Sequence, residues 1–116
     1  MIVWEPDKNI VRKAKINDLF EAVYMLTQLI PIGKVVSYKQ LADLLGTSPR
    51  IVGLAMKNNT RPIIIPCHRV VGSNGDLKGY SMGGTRIKEK LLRIEGVSIK
   101  NNRIEKNCFV EKLIDP

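Results

Sequence analysis

The feature that most constrains this chain is its punctuation between Val35 and Asn59, where helix starts and stops follow one another too closely for any long element. Ser37-Tyr38-Lys39-Gln40 has the form of a capping box, the serine hydroxyl and glutamine side chain satisfying free backbone amides at a helix start. Gly46 ends that helix, and Ser48-Pro49 opens another, because serine accepts from exposed amides and proline tolerates the first helical position. The second helix is predicted to run to about Asn58. Two short helices joined through Gly46-Thr47-Ser48 predict a helix-turn-helix packed by Leu41, Leu44, Val52 and Ala55. A packed helical hairpin that never touches DNA carries the same pattern. Arg50 and Lys57 on the second helix favour a nucleic-acid reading.

Upstream, Asn17 or Asp18 is expected to cap a helix with Leu19, Phe20, Val23, Leu26 and Ile30 at helical spacing, stopped by Pro31 and Gly33. Downstream, Ile63-Ile64-Ile65-Pro66 is an apolar approach to Cys67. Val70-Val71 reads as a short buried strand before the turn Gly72-Ser73-Asn74-Gly75. Thr85 is expected to cap a last helix with Ile87, Leu91 and Ile94 on its core face, ended by Gly96 in the left-handed conformation. Val97 to Ile99 and Arg103 to Ile104 suggest a hairpin around Asn101-Asn102. The first fifteen residues and the stretch after Asn101 look less organised, and no internal repeat or low-complexity tract is present.

The 116 residues suit one compact domain, and 44% hydrophobic against 26% charged residues is a globular balance. No apolar run approaches the roughly 20 residues of a spanning helix, nor does the start resemble a signal peptide, so the expectation is a cytoplasmic protein without a membrane partner. With 19 Lys plus Arg against 11 Asp plus Glu, the net charge of +8 favours a polyanion, nucleic acid first. Cys67 and Cys108 lack the paired spacing of a zinc site, so neither metal nor cofactor is expected.

Cys67 lies between Pro66 and His68, the only histidine. A thiolate is the nucleophilic form of cysteine, and a nearby imidazole can take its proton directly or through water. On the pair alone, a buried structural cysteine beside a partly exposed histidine is the more frequent arrangement.

The longer segment Ile65-Pro66-Cys67-His68-Arg69-Val70 resembles, letter for letter, the active-site signature of the O6-alkylguanine-DNA alkyltransferases. Val36-Ser37-Tyr38, Arg50 to Gly53, Asn59, Tyr80-Ser81 and Glu95 follow in the family's order, so the resemblance covers about residues 17–96. It implies a mainly α fold with a few short strands, a winged-helix-like helix-turn-helix domain of the alkyltransferase C-terminal type. Residues 1–116 would form one catalytic and DNA-binding domain, with 97–116 a C-terminal extension.

The implied activity is DNA repair by stoichiometric transfer of the alkyl group from O6-alkylguanine to Cys67, performed by a monomer on double-stranded DNA after the nucleotide is flipped out. Glu95 would orient His68, which draws the Cys67 proton through a water, while Tyr38 or Lys88 assists the leaving guanine. Arg50 would fill the vacated stack, with Tyr38 and Lys57 also on the DNA side. Asn59 would tie the recognition helix to the active-site loop. Met56, Pro62, Val70, Tyr80 and Ser81 would line the alkylguanine pocket.

The chain departs from the family pattern in a shorter Tyr38-to-Arg50 interval, in Thr60-Arg61 where a more apolar pair is usual, and in an extra Met82. Three other readings stand beside transfer. An alkyltransferase-like lesion sensor would have its cysteine replaced, a helix-turn-helix regulator leaves His68, Asn59, Tyr80 and Glu95 unexplained, and a cysteine hydrolase would turn over repeatedly.

Overall fold

The computed structural model describes residues 15–61, 64–77 and 84–113, together with the backbone of 2–5 and 10–13. Its elements in chain order are β1 (Ile2–Glu5), β2 (Ile10–Lys13), α1 (Ile16–Thr27), β3 (Val36–Ser37), α2 (Tyr38–Leu45), α3 (Pro49–Lys57), β4 (Val70–Val71), α4 (Gly84–Ile94), β5 (Ile99–Lys100) and β6 (Arg103–Ile104). This is a mainly α fold with short strands. No described helix is long and apolar enough to cross a membrane.

Local chemistry starts and stops the central helices as expected. Ser37 Oγ accepts from Gln40 N at 2.9 Å while Gln40 Oε1 accepts from Ser37 N at 2.8 Å, completing the capping box of α2. Gly46, at φ 66°, ends α2 in the left-handed region, and Ser48 caps α3 with Pro49 in its first turn. Leu41, Val52 and Ala55 are wholly buried. Leu44 is not at this seam: it is 47% exposed and borders a shallow groove with Gln40, Asp43, Glu111, Lys112 and Leu113. It stands at the edge of the face that Leu41 buries, beside Leu113 of the C-terminal tail.

Helix α1 begins earlier than Asn17 or Asp18. Asp18 lies within the first turn and accepts from the Lys15 amide at 2.8 Å, so its carboxylate still satisfies a helix-start donor. In α4 the buried residues are Lys88 and Leu92, with Leu91 partly buried against the core. Ile87 and Ile94 are 40% and 83% exposed. The apolar spacing alone placed this face wrongly, because a lysine occupies its centre. The helix also starts at Gly84, one residue before the expected Thr85 cap, and Gly96 has φ 89° beyond its end.

Strands β3 and β4 pair in parallel, Val36 opposite Val70 and Ser37 opposite Val71. Successive strand residues point to opposite faces, so this pair divides the interior in two. Val36 and Val70 join Val23, Leu26, Ile30, Leu41, Ala42, Val52, Ala55, Met56 and Cys67. Val35 and Val71 join Leu77, Leu92, Val97, Ile99, Ile104 and Cys108. With both faces covered, every residue of the two strands is buried, the Ser37 position included, and there is no alternation of buried and exposed positions.

Both segments that looked less organised contain regular structure. β1 and β2 pair antiparallel, Ile2 opposite Lys13 and Glu5 opposite Ile10. The C-terminal stretch is part of the fold: β5 and β6 turn through Asn101 and Asn102, at φ 53° and 61°, as a tight right-twisted hairpin demands. Gly75 lets this hairpin approach, since a Cβ there would lie 2.6 Å from the Ile104 carbonyl oxygen. Beyond it, Val35 donates to the Cys108 carbonyl and accepts from Val110 N, each at 2.9 Å. Gln40 Nε2 adds a 2.7 Å bond to the Val110 carbonyl.

Candidate active site

Cys67, His68 and Arg69 occupy a single 3-10 turn between Pro66 and β4. The turn is held from α3. Asn59, 4% exposed just past that helix, donates through Nδ2 to the Ile65 carbonyl at 3.1 Å and accepts from Arg61 N at 2.9 Å. Ile65 N in turn donates to the Arg61 carbonyl at 2.9 Å, so one buried amide closes the bend leading to Cys67. Ile65 is buried as its apolar run suggests, whereas Ile64 is 70% exposed. Cys67 itself is 4% exposed, in the same cluster as Met56 and Val70, with Tyr24 and Tyr38 packed against that cluster.

His68 is fully buried, not partly exposed. Its Nε2 lies 3.1 Å from Glu95 Oε2, and its Nδ1 has no hydrogen-bond partner among the described residues. Burial lowers the imidazole below its ordinary value and outweighs the opposing hydrogen bond and charge of Glu95; Arg69 and Lys88 lower it further. The neutral ring therefore places its proton on Nε2, where an ionised carboxylate accepts it, and leaves the Nδ1 lone pair available. Burial also pushes the Glu95 carboxyl upward, but hydrogen bonds from Arg69 and His68, with their charges, hold it below its ordinary value.

Lys88 is buried without any exposure, donates to the Val70 carbonyl at 2.6 Å and lies 5.7 Å from the centre of the Tyr38 ring. Burial brings its ammonium down to about 8, the charge of Cys67 and of Asp76 opposing. Burial, then the Cys67 charge, pushes the Tyr38 phenol up to about 12. Tyr38 consequently remains a donor at neutral pH, while Lys88 is a cation able to release its proton near the working pH.

On the outer side of α3, Tyr38, Pro49, Arg50, Gly53, Leu54 and Lys57 line a groove of about 510 Å³. Cys67 is not among its walls; Tyr38 is the residue shared by groove and buried turn. A Cβ at Gly53 would meet no atom within 4 Å. A mid-helix glycine costs about 1 kcal/mol relative to alanine, and here no internal contact calls for it, which suits close approach by an external partner.

The structure thus brings Cys67, His68, Glu95, Lys88, Tyr38, Met56, Val70 and Asn59 into one neighbourhood and places Arg50 and Lys57 on the adjoining groove. Pro62, Tyr80 and Ser81 lie outside the described residues, as does Met82. Sequence reasoning missed three contributors: the Arg69 guanidinium on Glu95, the Ile30 carbonyl that Arg69 also binds, and the Tyr24 hydroxyl, which donates to the Ala55 carbonyl at 2.7 Å. Arg69 stood inside the signature, but nothing in sequence marked a partner 26 positions away. Among the described residues no group of three or more His, Cys, Asp or Glu side chains could hold a metal ion.

The model of the 6-O-methylguanine DNA methyltransferase, DNA binding domain, matches residues 18–97. A methylated-DNA–protein-cysteine methyltransferase of Saccharolobus solfataricus is 53% identical over 78 residues, covering 67% of this chain and 50% of that protein. Its counterpart in Cricetulus griseus is 48% identical over 79 residues, with 66% and 38% coverage. The chain therefore spans half or less of the length of these relatives. S. pombe Atl1, solved with damaged DNA containing O6-carboxymethylguanine, superposes with a TM-score of 0.68 at 31% identity over 75% of this chain and 83% of that one. Mycobacterium tuberculosis OGT in complex with DNA gives 0.64 at 42% identity over 67% and 49%. The chain belongs to the 6-O-methylguanine DNA methyltransferase family through its DNA-binding domain.

Proposed function

We propose that this chain removes the alkyl group from O6-alkylguanine in double-stranded DNA and keeps it on Cys67, repairing one lesion per protein. The observation that carries this reading is a cysteine in the same buried turn as a fully buried histidine whose Nε2 lies 3.1 Å from Glu95 Oε2 and whose Nδ1 has no hydrogen-bond partner among the described residues. In the reaction the Cys67 thiol loses its proton to His68 Nδ1, directly or through a water, and the thiolate sulfur attacks the alkyl carbon. A C–S bond forms as the C–O6 bond breaks, and the guanine oxyanion is neutralised by a proton from Lys88, with Tyr38 donating a hydrogen bond. A thioether lacks the polarised carbonyl of an acyl-enzyme, so water has no easy route to regenerate the thiol.

Arg50 is assigned to the gap left by the flipped base, with Lys57 on a phosphate and Gly53 where the DNA backbone comes closest. Asn59 holds the active-site loop, while Met56 and Val70, together with Pro62, Tyr80 and Ser81, form the pocket for the alkylated base. Residues 1–116 act as one domain, including the C-terminal tail. All assigned groups lie on one chain, so a monomer suffices, and the compartment in this reading is the cytoplasm.

The test is to mix the protein with a short duplex holding one O6-methylguanine, measure its intact mass, and map any added methyl. One methyl on Cys67, absent from Cys67→Ala, is expected. Preferential binding of that duplex without modification would replace transfer with lesion sensing. Equal, weak binding of damaged and undamaged duplex would overturn both.

A further inference from the structure

The guanidinium of Arg69 has a placement that the transfer reaction does not itself call for. Its Nε donates to Glu95 Oε1 at 2.9 Å, its Nη2 to Glu95 Oε2 at 2.7 Å, and its Nη1 to the Ile30 carbonyl at 2.9 Å. The side chains of Arg69 and Glu95 are 11% and 16% exposed, so this fork is largely shielded from water. It spans three elements: the turn at Cys67–Arg69, the end of α4, and the loop after α1. That loop presses on Glu95 from a second side, since a Cβ at Gly33, φ +89°, would lie 3.1 Å from the Glu95 carbonyl oxygen.

Glu95 Oε2 thus accepts from Arg69 and His68 at once. A carboxylate serving histidine alone, this far removed from water, would be free to rotate, to take a proton itself, or to stabilise an imidazolium. With Arg69 on both oxygens its plane is set and its negative charge is already balanced, so it can orient the imidazole without drawing it into the protonated form. The charged groups bearing on the ring agree: Glu95 favours the imidazolium, while Arg69 from the turn and Lys88 from α4 oppose it. We infer that Arg69 is a positioning residue of the transfer site, its fork locking Glu95 so that His68 holds its proton on Nε2 and offers a neutral Nδ1. This deepens, and rests on, the transfer reading given above.

His68 is the only histidine, so its ring resonances are unique in the full chain. Nitrogen-15 NMR of the imidazole across pH would be recorded for the native chain, Arg69→Gln and Arg69→Lys, alongside the pH dependence of single-turnover methyl transfer. The native ring is expected as the Nε2–H tautomer. In Arg69→Gln the imidazole midpoint should move to higher pH, the acid limb of the transfer rate should move with it, and the plateau rate should fall on the order of tenfold. Arg69→Lys keeps the charge but loses the fork, so a smaller shift in the same direction is expected, and it carries the test if Arg69→Gln does not fold. An unchanged midpoint and tautomer in both variants, whatever their melting temperatures, would overturn the inference. If the native chain transfers nothing, the transfer reading falls, while the NMR titration still reports on Arg69.

Discussion

The groove along α3 and the turn at Cys67 adjoin through Tyr38 yet are built by opposite means. The groove presents cations on an exposed helix, Arg50 and Lys57, around a glycine with open space above it. The turn seals its polar groups inside: His68 and Lys88 are without exposure, and each is held by a group distant in sequence, Glu95 at 27 positions and the Val70 carbonyl at 18. Exposed charge gives affinity that salt can weaken, whereas a buried network fixes protonation and geometry in a low dielectric. One region should therefore govern binding and the other chemistry, and substitutions should separate the two.

The largest effect expected is on chemistry alone: Cys67→Ala should end methyl transfer and leave affinity for the damaged duplex within about twofold, read by mass and by titration. A variant that lost binding equally would break the division. Glu95→Gln should slow single-turnover transfer roughly 10²-fold, the scale of general-base assistance, again with little change in affinity. Arg50→Ala should reverse the pattern: transfer from a duplex falls about tenfold to a hundredfold while transfer from a free O6-alkylguanine base is retained. Equal losses on both substrates would place Arg50 in the chemistry instead. The smallest effect belongs to Lys57→Gln, which should flatten the slope of log affinity against log salt by about 0.9 with no change in the transfer rate of the bound complex.

The buried turn also makes a prediction about stability that the groove does not share. His68 titrates below its ordinary value of 6.5 in the folded chain, so between those two values the unfolded chain holds the extra proton. Stability from this group is complete above 6.5 and is lost as pH falls toward the lowered folded value. Lys88 acts at the alkaline end with the same sign: folded near 8 against an ordinary 10.5, it makes stability rise with pH across that interval. Thermal melts from pH 5 to 10 should show both slopes, and His68→Asn should remove only the acid one.

Legibility in the sequence followed the range of the forces. The capping box at Ser37, the Ser48-Pro49 start and the left-handed stops at Gly46 and Gly96 depend on atoms three or four residues apart, and they are found where expected. Apolar spacing misplaces the buried face of α4 because it cannot anticipate a lysine whose cost of burial is offset by the Val70 carbonyl. Spacing alone assigns Leu44 to the helix pair, but it lies at the edge of that face, beside the tail and partly exposed. Of the candidate site, Cys67, His68, Tyr38, Arg50, Asn59, Lys88 and Glu95 were named through the signature and the family's order, but no pattern indicated that Arg69 would share Glu95 with His68.

By itself, then, the sequence determined the helix-turn-helix, the pairing of Cys67 with His68 in one short signature, and a positive surface on the second helix, since each is written in adjacent residues. Only the tertiary structure decided that β3 and β4 pair in parallel, that the tail from Glu105 to Val110 completes the interior at Val35, and that Glu95 meets both His68 and Arg69. Those contacts join residues tens of positions apart, and their energies come from shared burial and from buried polar groups finding partners, which local sequence does not encode.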